Sequence, residues 1–367
     1  MKNSLLTFLF ILSGGLLSCG SDDPTTEIDN YDRKAMLANW ADNIILPGYN
    51  IYLNELSKLD QAVEAFTAAP DMDGMNSLRN SWLDAYMAWQ KVSMFEIGPA
   101  EASTLRDFTN IFPTDTQLIE QHIANPSYNL ELPSTRAAQG FPALDYLLYG
   151  SAASDTEIVQ RYQSESALRD YLSLLVKRLN QLTSDVVETW ENGYRDTFVN
   201  NDGSSASSSV NKLTNDFMFY YEKALRAGKI GIPAGVFSNS PLSDRVEGLY
   251  SRTYSRDLFL TSLQASKDFF NGIYYDGNSQ GQSLKSYLDF MNSVSNGENL
   301  GDLINNQLDS ALRQGNMLGA DLFEEVETSN VNMLRTYDEL QKNVILMKVD
   351  MFQALSIQVD FVDADGD

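Results

Sequence analysis

Leu172 to Trp190 reads LSLLVKRLNQLTSDVVETW, and its apolar residues return every three or four positions. The residues on this stripe are Leu172, Leu175, Leu179, Leu182, Val186 and Trp190. Because an α-helix completes a turn in about 3.6 residues, this spacing places all of them on one face. The stretch therefore predicts a long amphipathic helix that buries one side and leaves the other in solvent.

Two other parts of the chain repeat the helical spacing. One stripe is Leu78, Trp82, Ala85, Trp89 and Val92, and the other is Leu334, Tyr337, Leu340, Val344, Met347 and Met351. We interpret these aromatic and Met residues as helix core rather than as a cofactor site, because bundles require such stripes. Strand signals are scarce, the clearest being the alternation of Ile357, Val359 and Phe361 with polar residues. The predicted fold class is all-α with minor strand content.

A polar stretch rich in Gly and Ser, NNDGSSASSS at residues 200–209, interrupts the helical pattern. Such composition is typical of a loop or a linker. We therefore predict two helical-bundle domains, residues 31–204 and residues 205–367, with a cleft between them. A single large helical domain is the alternative. A second stretch with several glycines, residues 228–235, predicts another loop.

The first 18 residues have the features of an export signal. Lys2 gives a basic start, and the apolar run LLTFLFIL at residues 5–12 is too short to span a bilayer. Residues 16–19, LLSC, resemble a lipobox, in which a signal peptide (residues 1–18) is removed before an acylated Cys. We predict a palmitate-bearing anchor on Cys19, a tether at residues 19–30 and a cell-envelope location in the outer membrane, with exposure at the cell surface left open. The alternative is an ordinary secretory peptide followed by an incidental Cys.

The composition excludes several classes of function. There are 26 Lys and Arg against 50 Asp and Glu, and the net charge of −24 argues against nucleic acid as a partner. His122 is the only His, so an H-E-x-x-H zinc motif and a two-His metal site are both excluded within the chain. We predict that His122 is a packing or surface residue of a helix. Because Cys19 is the only Cys, no disulfide forms within one chain.

Several short segments, in a fixed order, carry a resemblance to a known family. They are WQKVSMFEIGP at 89–99, NIFPTD at 110–115, GFPALDYLL at 140–148, KIGIP at 229–233, EGLYSRTYSRDL at 247–258 and FVDADGD at 361–367. Together they resemble the imelysin-like family, which is also catalogued as M75 peptidases and iron-regulated proteins. The resemblance covers nearly the whole mature chain. It implies a two-domain helical fold with a pocket between the halves.

Residues 140–148 resemble the G-x-H-x-x-E signature of that family, whose His and Glu point into the pocket. Gly140 is kept, but Pro142 stands at the His position and Asp145 at the Glu position. Pro142 cannot bind a metal or move a proton, although it fits at the start of a helix, where a missing N–H is harmless. Asp145 keeps a carboxylate on a side chain one methylene shorter. The signature is therefore degenerate at both positions that carry its chemistry.

The resemblance also directs attention to polar residues in the other matched segments. The ligand or metal candidates are Glu96, Asp115, Asp145, Glu247, Ser251, Ser255 and Asp257. Spacings of four place Glu247, Ser251 and Ser255 on one face of a predicted helix. An all-oxygen set favours iron in its ferric form or another hard cation over zinc. The alternatives are structural, because the acids can cap helices or pair with neighbouring Arg residues and the serines can permit close helix packing.

Three hypotheses about function remain open. The first is a lipoprotein linked to iron or haem acquisition that binds a small ligand, a metal or haem in the cleft. The second is an M75-type metallopeptidase, which the absent signature His disfavours because metal-assisted hydrolysis needs ligands and a base. The third is a divergent paralogue that binds a non-metal ligand. We predict binding rather than catalysis.

Overall fold

The computed structural model describes residues 29–361, which are mainly helical. The all-α prediction is therefore confirmed. The predicted signal peptide, Cys19 and most of the tether lie outside the described residues. Residues 31–361 lie in one compact unit, and the predicted boundary between residues 204 and 205 falls inside it. Between residues 29 and 361, no helix is long and apolar enough to cross a membrane.

The helices follow one another with short connections. The α-helices are α1 (Arg33–Asn39), α2 (Leu46–Ala68), α3 (Met72–Val92), α4 (Pro99–Ser103), α5 (Leu105–Thr109), α6 (Thr116–Ala124), α7 (Gly140–Asp145), α8 (Asp155–Ser164), α9 (Ser166–Thr189), α10 (Arg195–Asn200), α11 (Ser209–Phe219), α12 (Ser255–Asn271), α13 (Leu284–Phe290), α14 (Leu300–Gly315), α15 (Leu322–Ser329), α16 (Val331–Val344) and α17 (Phe352–Ala354). Segments Trp40–Ile45, Tyr146–Gly150, Tyr220–Gly231 and Ile345–Met351 are π-helical, and Pro133–Ala138 and Ser243–Arg245 are 3₁₀-helical. Trp190–Tyr194 forms a kink between α9 and α10, where Asn192 and Gly193 leave helical geometry.

The predicted stripes form the core. On α9 every stripe residue is buried except Leu182, which is half-buried, and the helix packs against α2. On α3 the whole stripe is buried, since this helix lies against both α2 and α12. The C-terminal stripe is displaced at its start, because Leu334 is 39% exposed whereas Met333 is buried. His122 is buried and stacks on Tyr128, as a packing residue should.

Several α-helices continue directly into π-helical turns. One of these segments, Tyr220–Gly231, extends α11 and carries Lys229 into the interior. The loop predicted at residues 228–235 is therefore wrong in its first half. The helical ladder continues there because the carbonyls of Ile230 and Gly231 accept from Ala234 and Val236. π-Helical turns are uncommon and often occur beside functional sites.

The predicted C-terminal strand is also wrong. Residues 357–360 form no strand, and the Asn215 side chain binds their backbone instead, donating to Gln358 O at 2.8 Å and accepting from Asp360 N at 3.1 Å. These amide contacts replace the ladder that a neighbouring strand would supply. Within residues 29–361 the strands are β1 (Val294–Ser295) and β2 (Glu298–Asn299), an antiparallel pair.

Candidate functional site

The degenerate signature begins α7 at a position that requires glycine. Gly140 has φ +76°, and a Cβ there would lie 2.2 Å from the carbonyl oxygen of Thr109. Any side chain would therefore add both a clash and left-handed strain. Pro142 lies in the first turn, where its missing N–H costs no intrahelical bond. The structure thus agrees with the predicted role of Pro142 at the helix start.

Asp145, the last residue of α7, holds a neighbouring turn through its carboxylate. The backbone N–H groups of Tyr250 and Ser251 donate to its two oxygens, each at 2.9 Å. Burial raises the pKa of Asp145 to about 6, although these donors and the Ser251 side chain oppose the change. Asp145 therefore acts here as a buried acceptor that fixes the turn after residue 247.

The turn itself differs from the helix predicted at residues 247–257. Gly248 and Arg252 have φ +70° and +60°, values that interrupt a right-handed helix. As a result α12 begins only at Ser255. The turn nevertheless brings the two serines together, because the hydroxyls of Ser251 and Ser255 both donate to the carbonyl of Gly248, at 3.4 and 3.3 Å.

Glu247 is the centre of a buried polar network, the carboxylate core, formed with Tyr86, Gln90, Asn110 and Lys229. Its Oε1 accepts from Gln90 Nε2 at 2.9 Å and from Asn110 Nδ2 at 2.7 Å. The Tyr86 hydroxyl lies 2.9 Å from the same oxygen and 2.7 Å from Asn110 Oδ1, with one proton to donate between them. One carboxylate thus gathers side chains from three parts of the chain, which are α3, the segment after α5 and the π-helical segment Tyr220–Gly231.

Lys229 supplies the charge that keeps Glu247 ionised. Its ammonium donates to Glu247 Oε2 and, at 2.8 Å, to Gln90 Oε1, and both charged residues are at most 3% exposed. Burial by itself would raise the pKa of Glu247, but Lys229 and the amide donors lower it below its ordinary value. The pair is therefore a fixed buried ion pair whose remaining lone pairs are satisfied.

A pocket of about 290 Å³, the basic pocket, opens beside the carboxylate core. The charged side chains that line it are Arg106, Asp107, Lys223, Lys229 and Arg245. Apolar side chains complete the wall and include Phe112, Pro113, Phe219 and Ile232. Phe219 and Ile232 are 37% and 39% exposed, so their apolar surface is available to a ligand. The pocket therefore combines cationic groups with accessible apolar surface in a strongly acidic protein.

Glu96 belongs to a separate group, the Arg106 cluster, with Arg106 and Asp216. The Arg106 side chain donates to Asp216 Oδ1 at 3.0 Å, and its backbone N–H donates to Glu96 Oε2 at 2.9 Å. Burial raises the pKa of Glu96 to about 8, although Arg106 opposes it. Burial raises the pKa of Asp216 as well. Arg106 connects the Arg106 cluster to the basic pocket, because its side chain also lines that pocket.

The remaining candidates do not join the carboxylate core. Asp115 caps α6, accepting from Leu118 N at 3.0 Å, and Asp257 pairs with its neighbour Arg256 at the surface. Asp115 and Asp257 therefore have the structural roles named above as alternatives, which are helix capping and pairing with a neighbouring Arg. Between residues 29 and 361, no group of three or more His, Cys, Asp or Glu side chains is placed to hold a metal ion.

Sequence reasoning missed the polar partners of Glu247. Gln90, Asn110 and Lys229 each lie within a matched segment, so the resemblance contained their positions. None of the three is an acid, so a pattern of candidate metal ligands does not include them. A Lys among these segments was the available signal, since a buried cation needs a carboxylate partner.

The comparisons with known proteins agree with the architecture. Residues 45–345 match the family model described as Imelysin, peptidase M75. A 155-residue stretch is 23% identical to the iron-regulated protein A of Synechococcus elongatus, covering 42% of this chain and 40% of that protein. The chain therefore spans less than half the length of this relative.

Two solved structures share the fold. An imelysin-like protein from Psychrobacter arcticum superposes with a TM-score of 0.70 at 19% identity, covering 90% of this chain and 97% of the other. A protein described as an iron-regulated protein A precursor, from Parabacteroides distasonis, gives a TM-score of 0.71 at 19% identity, with coverage of 87% and 95%. At this identity the likeness establishes the fold alone.

Proposed function

Because the chain belongs to the imelysin family, we propose that it is a cell-envelope binding protein with an iron-related role. Its ligand is a small organic anion that occupies the basic pocket. The iron-related part of the proposal draws on the name of the cyanobacterial relative and on that of the Parabacteroides structure. The envelope location rests on the predicted lipid anchor at Cys19.

The sign of the charge at the basic pocket is the observation that carries this proposal. Four cationic residues line it and only one acidic residue does, in a chain with a net charge of −24. The single acid, Asp107, is engaged by Arg136 at 2.8 Å. Lys223 pairs with Glu222, a carboxylate that also binds Lys348. Arg106 and Lys229 are held in pairs with Asp216 and Glu247, whereas Arg245, whose side chain is 48% exposed, lies 3.8 Å from Asp244. Lys223 and Arg245 are therefore the cations that can meet an anionic ligand in this concave site.

Two further features of the described residues narrow the chemical class of the ligand: the apolar wall of the pocket and the lack of side chains placed to bind a metal ion directly. Phe112, Phe219 and Ile232 offer surface to a carbon framework, as small-molecule sites usually do. No metal-holding group lies between residues 29 and 361. We therefore favour a ligand that brings its own iron donors, such as a ferric polycarboxylate chelate or haem, both of which are anionic.

Binding is favoured over hydrolysis by what the acids already contact. Glu247 is neutralised by Lys229, and Asp145 accepts from two backbone N–H groups. Neither carboxylate is free to act as a base, and Pro142 offers no ligand in place of the signature His. We therefore expect no metal-dependent peptidase activity.

The test is calorimetric titration of the mature chain, purified without a His tag, with ferric citrate, citrate alone, haem and ferric ion. We expect at least one iron-bearing anion to bind, and Lys223→Gln with Arg245→Gln to weaken it at least tenfold, because charge-assisted contacts are lost. Lys58→Gln is the matched control, since Lys58 is exposed and pairs only with Glu55.

Two results would contradict the proposal. The first is stoichiometric metal in the purified protein, found by elemental analysis, together with equal ligand affinity in the unaltered chain and the pocket variants. This result would indicate a metal site instead of an anion site. Metal-dependent proteolysis that is lost in Asp145→Ala and kept in Lys58→Gln would establish the peptidase instead.

A further inference from the structure

A second cavity, of about 400 Å³, shares no lining residue with the basic pocket. It lies between α3, α12, α14 and the loop that follows α12. Its apolar lining consists of the half-buried Leu260, Tyr275 and Leu312 together with Ile44, Phe95 and Phe269, which are at most 5% exposed. The rings of Phe95 and Phe269 meet edge to face with centroids 5.3 Å apart. The volume is in the range of small-molecule sites.

This cavity contains one cation and one anion that are not paired. Lys91 has its ammonium 5.2 Å from the ring centre of Tyr275, and Asp268 accepts from Gln264 Nε2 at 2.8 Å. Among the ion pairs between residues 29 and 361, neither Lys91 nor Asp268 takes part in one. Lys267, the neighbour of Asp268, is instead engaged by Asp309. Burial raises the pKa of Asp268, although Gln264, Lys267 and Lys91 oppose it.

The wall that carries Tyr275 is fixed in place. The backbone N–H of Tyr275 donates to Asn43 O at 2.9 Å. The Asn39 amide donates to Gln282 O at 3.0 Å, which ties the far end of the same loop to α1. Gly48 permits the close approach, since a Cβ there would lie 3.0 Å from the Tyr275 ring. A preformed wall reduces the ordering cost of binding.

We propose that this cavity binds a small zwitterion of the α-amino-acid type, with an apolar side chain. Its carboxylate meets the ammonium of Lys91, and its ammonium meets the carboxylate of Asp268. Its side chain lies against the half-buried apolar residues Leu260, Tyr275 and Leu312. A ligand with one charge would contact only one of the two charged side chains directly. A zwitterion satisfies both with charge-assisted hydrogen bonds.

Calorimetric titration of the intact mature chain with L-phenylalanine, N-acetyl-L-phenylalanine and L-phenylalaninamide tests the proposal. Each derivative lacks one of the two charges and keeps the ring. We expect the zwitterion to bind at least tenfold more tightly than either derivative. Lys91→Gln and Asp268→Asn should each weaken L-phenylalanine at least tenfold, with unchanged circular dichroism melting curves.

The controls match the local arrangement of the two charges. Asp185, exposed on α9, accepts from a Gln four residues earlier at 2.7 Å, as Asp268 does. Asp185→Asn and Lys58→Gln should leave the affinity unchanged. Equal affinity for the three compounds, or no binding of L-phenylalanine at millimolar concentration, would overturn the proposal. If the variants misfold, the comparison of the three compounds on the unaltered chain still decides it.

Discussion

Glu247, whose side chain is 2% exposed, and Glu96, whose side chain is 15% exposed, both lie close to the basic pocket, yet their pKa values move in opposite directions. Glu247 has Lys229 to itself and three further side chains within hydrogen-bonding distance of one oxygen, so its pKa falls despite burial. Glu96 shares Arg106 with Asp216, and burial raises the pKa of Glu96 to about 8. The cations and hydrogen-bond donors that reach each carboxylate, rather than burial alone, decide which acid keeps its charge. The carboxylate core is therefore a fixed pair, and the Arg106 cluster titrates.

The largest effect should come from removing the cation of the fixed pair. Lys229→Met leaves Glu247 buried without its counter-ion, and we expect the free energy of unfolding to fall by about 3–5 kcal/mol. The double variant Lys229→Met with Glu247→Gln should recover part of the loss, because no buried charge then remains. Urea unfolding at neutral pH measures all three proteins.

Lys58→Met is the control for this prediction, since Lys58 lies on the surface and should cost less than about 0.5 kcal/mol. If Lys229→Met and Lys58→Met lost similar amounts of unfolding free energy, Lys229 would contribute no more to stability than a surface Lys. This result would also indicate that the Gln90, Asn110 and Tyr86 donors alone keep Glu247 ionised.

A smaller effect is expected at Asp145, a buried acid held by backbone donors without a cation. In Asp145→Asn one amide NH₂ must face the N–H of Tyr250 or Ser251, so one buried donor loses its acceptor. We expect a loss of about 1–3 kcal/mol in urea unfolding above pH 7. Asp257→Asn, at a half-exposed acid on α12, should change stability by about 0.5 kcal/mol or less. Equal losses in the two variants would show that the carboxylate of Asp145 is not needed to hold the turn.

The fold was predictable because its signal is repetitive. The stripes on α3 and α9 recur over many turns, and single errors such as Leu334 do not change the period. The predicted C-terminal strand failed for a non-local reason, since Asn215 binds that segment from a distant part of the chain. Local alternation carries no information about such a partner.

The sequence indicated which segments contain the candidate site, but it did not indicate which side chains of those segments would pair. In the structure Asp145, Ser251 and Ser255 meet at the turn that follows Glu247, whereas Glu96, Asp115 and Asp257 lie elsewhere. The helix predicted at residues 247–257 failed because positive φ values at Gly248 and Arg252 turn the chain. The pairing of Glu247 with Lys229 depends on the π-helical end of the segment that carries Lys229, and residue spacing gave no sign of that geometry.

The smallest effect should be the pH dependence contributed by Glu96. Its pKa in the folded protein is about 8, above its ordinary value of 4.5, so the folded state keeps a proton that the unfolded state has lost. Stability from this group is therefore complete below about pH 4.5 and is lost as the pH rises through about 8. In Glu96→Gln this contribution is absent, and the slope of unfolding free energy against pH should become less negative by up to about 1.4 kcal/mol per pH unit.

Urea unfolding between about pH 6.5 and pH 8 measures that slope, because Asp145, with a pKa of about 6, is mostly ionised across this window. Glu188→Gln, at an exposed position of α9, should leave the slope unchanged. Parallel curves for the unaltered chain and Glu96→Gln would mean that Arg106 neutralises Glu96 as completely as Lys229 neutralises Glu247. One cation would then suffice for two buried carboxylates, and the contrast between the two regions would have to come from their hydrogen-bond donors instead.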